Sequence, residues 1–239
     1  MTDHMYAEQH ARDSTRKRPG WVEIGVGLGV GVLVLIAIAL LTPLASGSDP
    51  VVYGLLLAAA SGALGLIGFA AAFAVRLRSW GAFNVRRTTW KWIALGALAG
   101  VVALLLKGLV NFGVIALTGL DDSPQAPYGD AAGGGVLPLI LTFAFLTILT
   151  PLGEEFLFRG VIATALLRYG WWAGVVGSSV VFALFHGISL ALPSALVVGI
   201  IAAEMMRRSR SIWPAVMVHV VNNAALPLFV LIAGSAAVA

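Results

Sequence analysis

The sequence predicts an all-α fold: a polytopic integral membrane bundle of about seven transmembrane helices, with the N-terminus cytoplasmic. Three observations carry that prediction. Of the 239 residues, 59% are hydrophobic and 11% charged, against about 25% charged in soluble domains, and the mean hydropathy is +0.95. The apolar residues gather in runs that reach the roughly 20 residues a helix needs to cross a bilayer. The Lys and Arg residues between those runs fall on one side of the membrane once the crossings are counted. The net charge of +4 therefore reports orientation rather than a nucleic-acid surface. No cysteine is present, which excludes disulfides, thiolate catalysis and cysteine-ligated metals.

Taken in order, residues 1–20 are polar, end in Arg16-Lys17-Arg18-Pro19-Gly20, and read as a cytoplasmic tail in which His4 and His10 have no function. The run from Trp21 to Leu44 exceeds the 7–15 apolar residues of a signal peptide, so it is an uncleaved first span. Gly25, Gly27, Gly29 and Gly31 lack the strand-then-helix setting of a nucleotide loop and suit close helix packing. A second span covers about Val51 to Val75. The loop from Arg76 to Lys91, with Arg76, Arg78, Arg86, Arg87, Lys91, Trp80 and Trp90, reads as a cytoplasmic interfacial segment. The third span, about Trp92 to Leu117, carries Lys107 with Asn111 one turn on and on the same face. Two readings of Lys107 stay open: a charge facing the bundle interior and pairing with a carboxylate, or a packing or snorkelling lysine. The loop Thr118–Gly135 holds Asp121, Asp122 and Asp130 and no Lys or Arg.

Val136 to Leu167 reads as one long crossing kinked at Pro151 and Gly153, because splitting it would leave a second piece too short to span. Spans at Trp171–Ile188, Leu190–Met206 and Ile212–Ala233 follow, with turns at Tyr169-Gly170 and Arg207–Ser211. With seven crossings and the N-terminus inside, Arg12, Arg16, Lys17, Arg18, the five cations of the first loop, Arg168, Arg207, Arg208 and Arg210 are all inside, and the outer segments hold no Lys or Arg.

Pro151-Leu-Gly-Glu154-Glu155-Phe-Leu-Phe-Arg159-Gly160 places three charges in that long span, each costing about 2.5–3.5 kcal/mol near a bilayer centre. Glu155 and Arg159 are spaced i, i+4 for an ion pair. Glu154 points about 100° away and is left to face a cavity. The later spans add Phe182 and His186, Glu204 near a cytoplasmic end, and His219, Asn222 and Asn223. Glu154 and His186 each lie sixteen residues from Gly170 on opposite arms of a hairpin, so both sit about 24 Å from the turn. Similar counting from the other turns brings His219 and Asn223, an i, i+4 pair, to that depth. A carboxylate beside a histidine can take a proton from water, and a second histidine with an asparagine amide can hold an oxyanion. This is a hydrolase set suited to an amide bond. The same Glu154, His186 and His219 would also meet the needs of a three-ligand zinc site, although no His-Glu-x-x-His helix is present.

These residues resemble the three motifs of the CAAX protease and bacteriocin-processing enzyme family of intramembrane proteases, which includes the type II CAAX prenyl endopeptidases. Glu154, Glu155 and Arg159 match its Glu-Glu-x-x-x-Arg motif, Phe182 and His186 its Phe-x-x-x-His, and His219 and Asn223 its His-x-x-x-Asn. The resemblance covers about Val136 to Leu228, and the first 135 residues match only as generic membrane spans. The chain so divides into the tail (residues 1–20), three N-terminal helices with their loops (21–135) and a catalytic helical core (136–239). It implies a multi-pass cell-membrane endopeptidase that cleaves a membrane-anchored protein or peptide. Glu154 and His186 would activate water, His219 and Asn223 would stabilise the oxyanion, and Glu155, Arg159 and Phe182 would support them. The family is commonly labelled as metalloproteases, but the oxyanion role open to the second histidine and the asparagine favours a metal-free mechanism here; the cofactor stays open, with none preferred and zinc the alternative. The alternatives are a non-catalytic scaffold or immunity protein, which the family also contains, and a proton-coupled transporter. An inverted repeat would favour the transporter, and the two halves show none.

Overall fold

The computed structural model describes residues 18–45, 47, 49–120, 122 and 124–234. His4, His10, Arg12, Arg16, Lys17 and Asp121 lie outside them. Among the described residues there are eight helices and no strand: α1 (Trp21–Ala45), α2 (Pro50–Val75), α3 (Trp90–Thr118), α4 (Ala126–Gly133), α5 (Val136–Tyr169), α6 (Trp172–Leu184), α7 (Ala191–Ser209) and α8 (Trp213–Ala233). Helices α1, α2, α3, α5 and α8 are long and apolar enough to cross a membrane. The other two expected crossings fall short of that measure. Helix α6 is apolar but brief, and the 19 residues of α7 end in Glu204, Arg207 and Arg208.

The polarity of the bundle is inverted relative to a soluble protein. Leu40, Leu105, Leu117 and Ile232 stand on the outside, while Glu154, Glu155, Arg159, Ser179 and His219 are buried. Such a surface suits hydrocarbon, and the chain is a multi-pass helical membrane protein.

Two devices position the interior. The first is α5, which is continuous across 34 residues but widens to π-helical turns at Phe143–Leu149 and Phe156–Ala163. Between them lies a short α-helical piece, Thr150–Glu155, with Pro151 in its first turn. Pro151 has no N–H to give to the preceding turn, and a wider turn accommodates that loss. The disruption expected at Pro151 is thus spread into two π segments that flank the glutamates. The second device is a close approach of α2 to α5. A Cβ on Gly65 would lie 2.2 Å from the Gly153 carbonyl carbon, and one on Gly153 would lie 2.0 Å from Gly62 O. Only glycine allows the two backbones to touch, and the contact brings Ser61 against Glu154. In α1, Gly27 and Gly31 pack on Leu157 as the glycine pattern suggested, whereas Gly25 and Gly29 face open space.

Helix α4 arises inside the expected Thr118–Gly135 loop. Its Ala-Pro-Tyr-Gly sequence gives no helical signal, yet Pro127 sits in its first turn, and Gly54 of α2 leaves room for the Pro127 carbonyl. Helix α6 stops earlier than expected. It unwinds at Gly187, whose φ of 75° suits glycine, so His186 stands on the turn beyond the helix rather than within it. Helix α8 packs along α3 and α7, and α5 lies between α2 and α8.

Candidate active site

The two glutamates of α5 have different surroundings. Glu155 is fully buried and bridges two partners. One oxygen is 3.1 Å from Arg159 Nε, one turn along the helix, and the other is 3.0 Å from His219 Nδ1. Arg159 donates from Nη2 to the Gly199 carbonyl at 3.2 Å, and its guanidinium carbon sits 4.4 Å from the centre of the Phe182 ring, a cation–π contact. The Phe182 ring also meets the rings of His186 and His219 edge-on, at 4.7 and 5.8 Å. The ion pair expected from sequence is present, and it additionally fixes a histidine. Because a carboxylate accepts, His219 Nδ1 donates to Glu155 and its Nε2 is left toward Glu154.

Glu154 is 6% exposed. Ser61 Oγ donates to its Oε1 at 2.7 Å. Its Oε2 has no hydrogen-bond partner among the described residues and lies 3.7 Å from His219 Nε2, too far for a hydrogen bond. His186 is further from Glu154 than His219 is. Its Nδ1 donates to the Phe182 carbonyl at 3.0 Å, which also accepts from the Phe185 amide at 3.2 Å where α6 ends. Asn223 spends one amide N–H on the Leu146 carbonyl at 3.0 Å, within the first π segment.

Two cavities meet at this cluster. One, of about 280 Å³, is bordered by Ser61, Tyr128 and Glu154 together with apolar residues of α1 and α2. The other, of about 330 Å³, is bordered by Lys107, Asn111, Ser194 and Asn222. His186, His219 and Asn223 line both. The structure thus brings together all seven residues singled out in the three motifs. It sets Glu204 apart, bound to Arg207, Arg208 and the Trp171 indole.

Sequence reasoning missed Ser61 and Tyr128. Ser61 is one of only two polar residues in the apolar run of α2, and that isolation could have marked it. Nothing marks Tyr128, which sits in a Pro- and Gly-rich stretch. Burial, with the Glu154 carboxylate adding to it, pushes the Tyr128 hydroxyl up to about 12, so it lines the cavity in its neutral form.

Among the described residues, no group of three or more His, Asp and Glu side chains is placed to hold a metal ion. Both histidines have Nδ1 engaged, on Glu155 and on the Phe182 carbonyl, which leaves Nε2 of each as the nitrogen without a proton. As arranged, Glu154, His186 and His219 are not drawn close enough together to serve as a three-ligand zinc centre.

Fold and site together define a multi-pass helical membrane protein with a buried carboxylate–histidine cluster between two cavities. Residues 136–225, which hold all three motifs, match the family model described as type II CAAX prenyl endopeptidase Rce1-like, and this match supports the chain's place in the CAAX protease family. No curated protein and no solved structure matched the chain.

Proposed function

We propose that this protein is an intramembrane endopeptidase of the cell membrane, hydrolysing a peptide bond in a membrane-anchored protein or peptide of the CAAX kind. The proposal includes seven crossings with the N-terminus cytoplasmic, as the distribution of Lys and Arg requires, and residues 136–239 as the catalytic core with Ser61 added from α2. The observation that carries it is the state of Glu154. One oxygen is fixed by Ser61, and the other is buried without a hydrogen bond, 3.7 Å from the free nitrogen of His219. A water bonded to both atoms would complete a triangle with sides of about 2.8 Å.

In this reading Glu154 takes a proton from that water as the oxygen attacks the carbonyl carbon. His219, oriented by Glu155, holds the water in place. The oxyanion accepts the second amide N–H of Asn223. As the tetrahedral intermediate collapses, the C–N bond breaks and the proton on Glu154 passes to the leaving amine. His186 Nε2, on the same wall, is placed to relay it. His219 thus takes the place beside the water that the family resemblance implied for His186, because it is the one close to Glu154. His186, whose Nδ1 is tied to its own helix, is given the proton relay, and the oxyanion is left to Asn223.

Ser61 acts here as a positioning residue. Ser61→Ala should lower kcat about tenfold with little change in KM, since a hydrogen bond to a charged group contributes about 1.5–3 kcal/mol. An unchanged kcat would remove Ser61 from the site.

The proposal is tested by comparing membrane-derived peptides in cells carrying wild-type or Glu154→Ala protein. New carboxyl termini should appear only with the wild type. Identical peptide sets would favour a non-catalytic scaffold instead.

A further inference from the structure

The second cavity contains a charge that the proposed hydrolysis does not use. Lys107 lies midway along α3, where a lysine at bilayer depth is functional by default. It is not snorkelling to either interface, because its Nζ donates sideways to Asn222 Oδ1 on α8 at 2.8 Å. That bond uses one of three donors. Among the described residues no carboxylate forms an ion pair with it. Asp122, which borders the same cavity, is engaged elsewhere, accepting from the Leu190 amide at 3.1 and 3.3 Å.

Asn222 sharpens the picture. With Oδ1 turned to Lys107, its amide nitrogen is a donor, and that buried nitrogen has no acceptor. Asn222 is 5% exposed. Lys107 and Asn222 therefore form a donor pair with unfilled capacity, in a cavity that shares His186, His219 and Asn223 with the Glu154 cavity. An ammonium and an amide N–H held together at low dielectric suit a carboxylate. Asp122, held on the Leu190 amide in the lining of the same cavity, disfavours an anion beside itself and leaves Lys107 as the cation that favours one.

We infer that Lys107, oriented with Asn222, is a carboxylate-binding subsite beside the proposed cleavage site, and that it selects substrates with a carboxylate on one side of the scissile bond. The inference rests on the endopeptidase reading for its place in catalysis, but its test does not need turnover. A peptide lying across the histidine wall would put the bond to be cut near Glu154. Its acidic group would then lie in the Lys107 cavity. That group could be the main-chain terminus or an acidic side chain.

The test is equilibrium binding of three short apolar N-acetylated peptides to purified protein in detergent. The first is a tripeptide acid, the second its C-terminal amide, and the third an amide with Glu as last residue. Glu154→Gln protein is used beside the wild type, so that binding is read without cleavage. One of the carboxylate peptides should bind about 10- to 100-fold more tightly than the plain amide. The acid form winning assigns the main-chain terminus, and the Glu amide winning assigns a side chain. Lys107→Gln should bring the ratio close to one, while Lys107→Arg should keep most of it. Equal binding of all three by the wild type, binding of none, or a preference that survives Lys107→Gln would overturn the subsite. If the preference is present but wild-type protein cleaves none of the peptides presented in a bilayer, the endopeptidase reading fails and the subsite stands.

Discussion

Replacing Glu155 by alanine is expected to destabilise the bundle by about 3–5 kcal/mol, the cost of leaving one member of a buried ion pair uncompensated. Arg159 is fully buried, and without Glu155 its charge would keep the Gly199 carbonyl, the Phe182 face and the more distant Glu154 carboxylate, but no ion-pair partner in contact. His219 would lose its Nδ1 acceptor in the same step. The measurement is thermal unfolding of the purified protein in detergent. Removing both charges separates the cost of an orphaned ion from the value of the pair. Glu155→Leu with Arg159→Met should recover much of the lost stability, as apolar replacement of buried pairs commonly does, but cleavage should remain low because His219 is still unanchored. A double variant no more stable than Glu155→Ala would show that the pair itself, rather than the uncompensated charge, sets the stability.

Glu154→Gln is expected to behave in the opposite way, with cleavage falling about 10²–10⁴-fold, the range contributed by a general base. Glutamine is close in size and still accepts from Ser61, so thermal stability should change little. KM should hold while kcat falls, since the proton transfer occurs only on the way to the transition state. The contrast between adjacent residues follows from their partners. Glu155 is hydrogen-bonded by His219 on one oxygen and ion-paired with Arg159 on the other. Glu154 is bonded by Ser61 on one oxygen and has no cation paired with the other, which lies 3.7 Å from His219 Nε2.

Much of this arrangement was legible in the sequence because a membrane makes polar residues conspicuous. Glu154, Glu155, Arg159, His186, His219 and Asn223 stand out from apolar runs, and the 1.5 Å rise of a helix made it feasible for Glu154, His186, His219 and Asn223 to meet within about one turn of the same depth. The i, i+4 pairing of Glu155 with Arg159 is local and could be read directly. What could not be read depends on how helices rotate and approach one another. The bond from Glu155 to His219 joins residues 64 positions apart. Ser61 reaches Glu154 only because Gly62, Gly65 and Gly153 let two backbones touch. The end of α6 at Gly187 moved His186 onto a turn, and α4 formed from a Pro- and Gly-rich segment because α2 has a hollow at Gly54 to receive it. The count of seven crossings illustrates the same limit. Charge placement calls for seven, while length and hydropathy identify five.

The most direct test of the central claim is cleavage of a membrane-anchored peptide by purified protein reconstituted in a bilayer, in ¹⁸O-labelled water with a metal chelator present. Wild-type protein should cut one peptide bond and place ¹⁸O in the new carboxyl terminus, and Glu154→Gln should leave the peptide intact over the same interval. Cleavage by Glu154→Gln at the wild-type rate would contradict the claim that Glu154 activates the water.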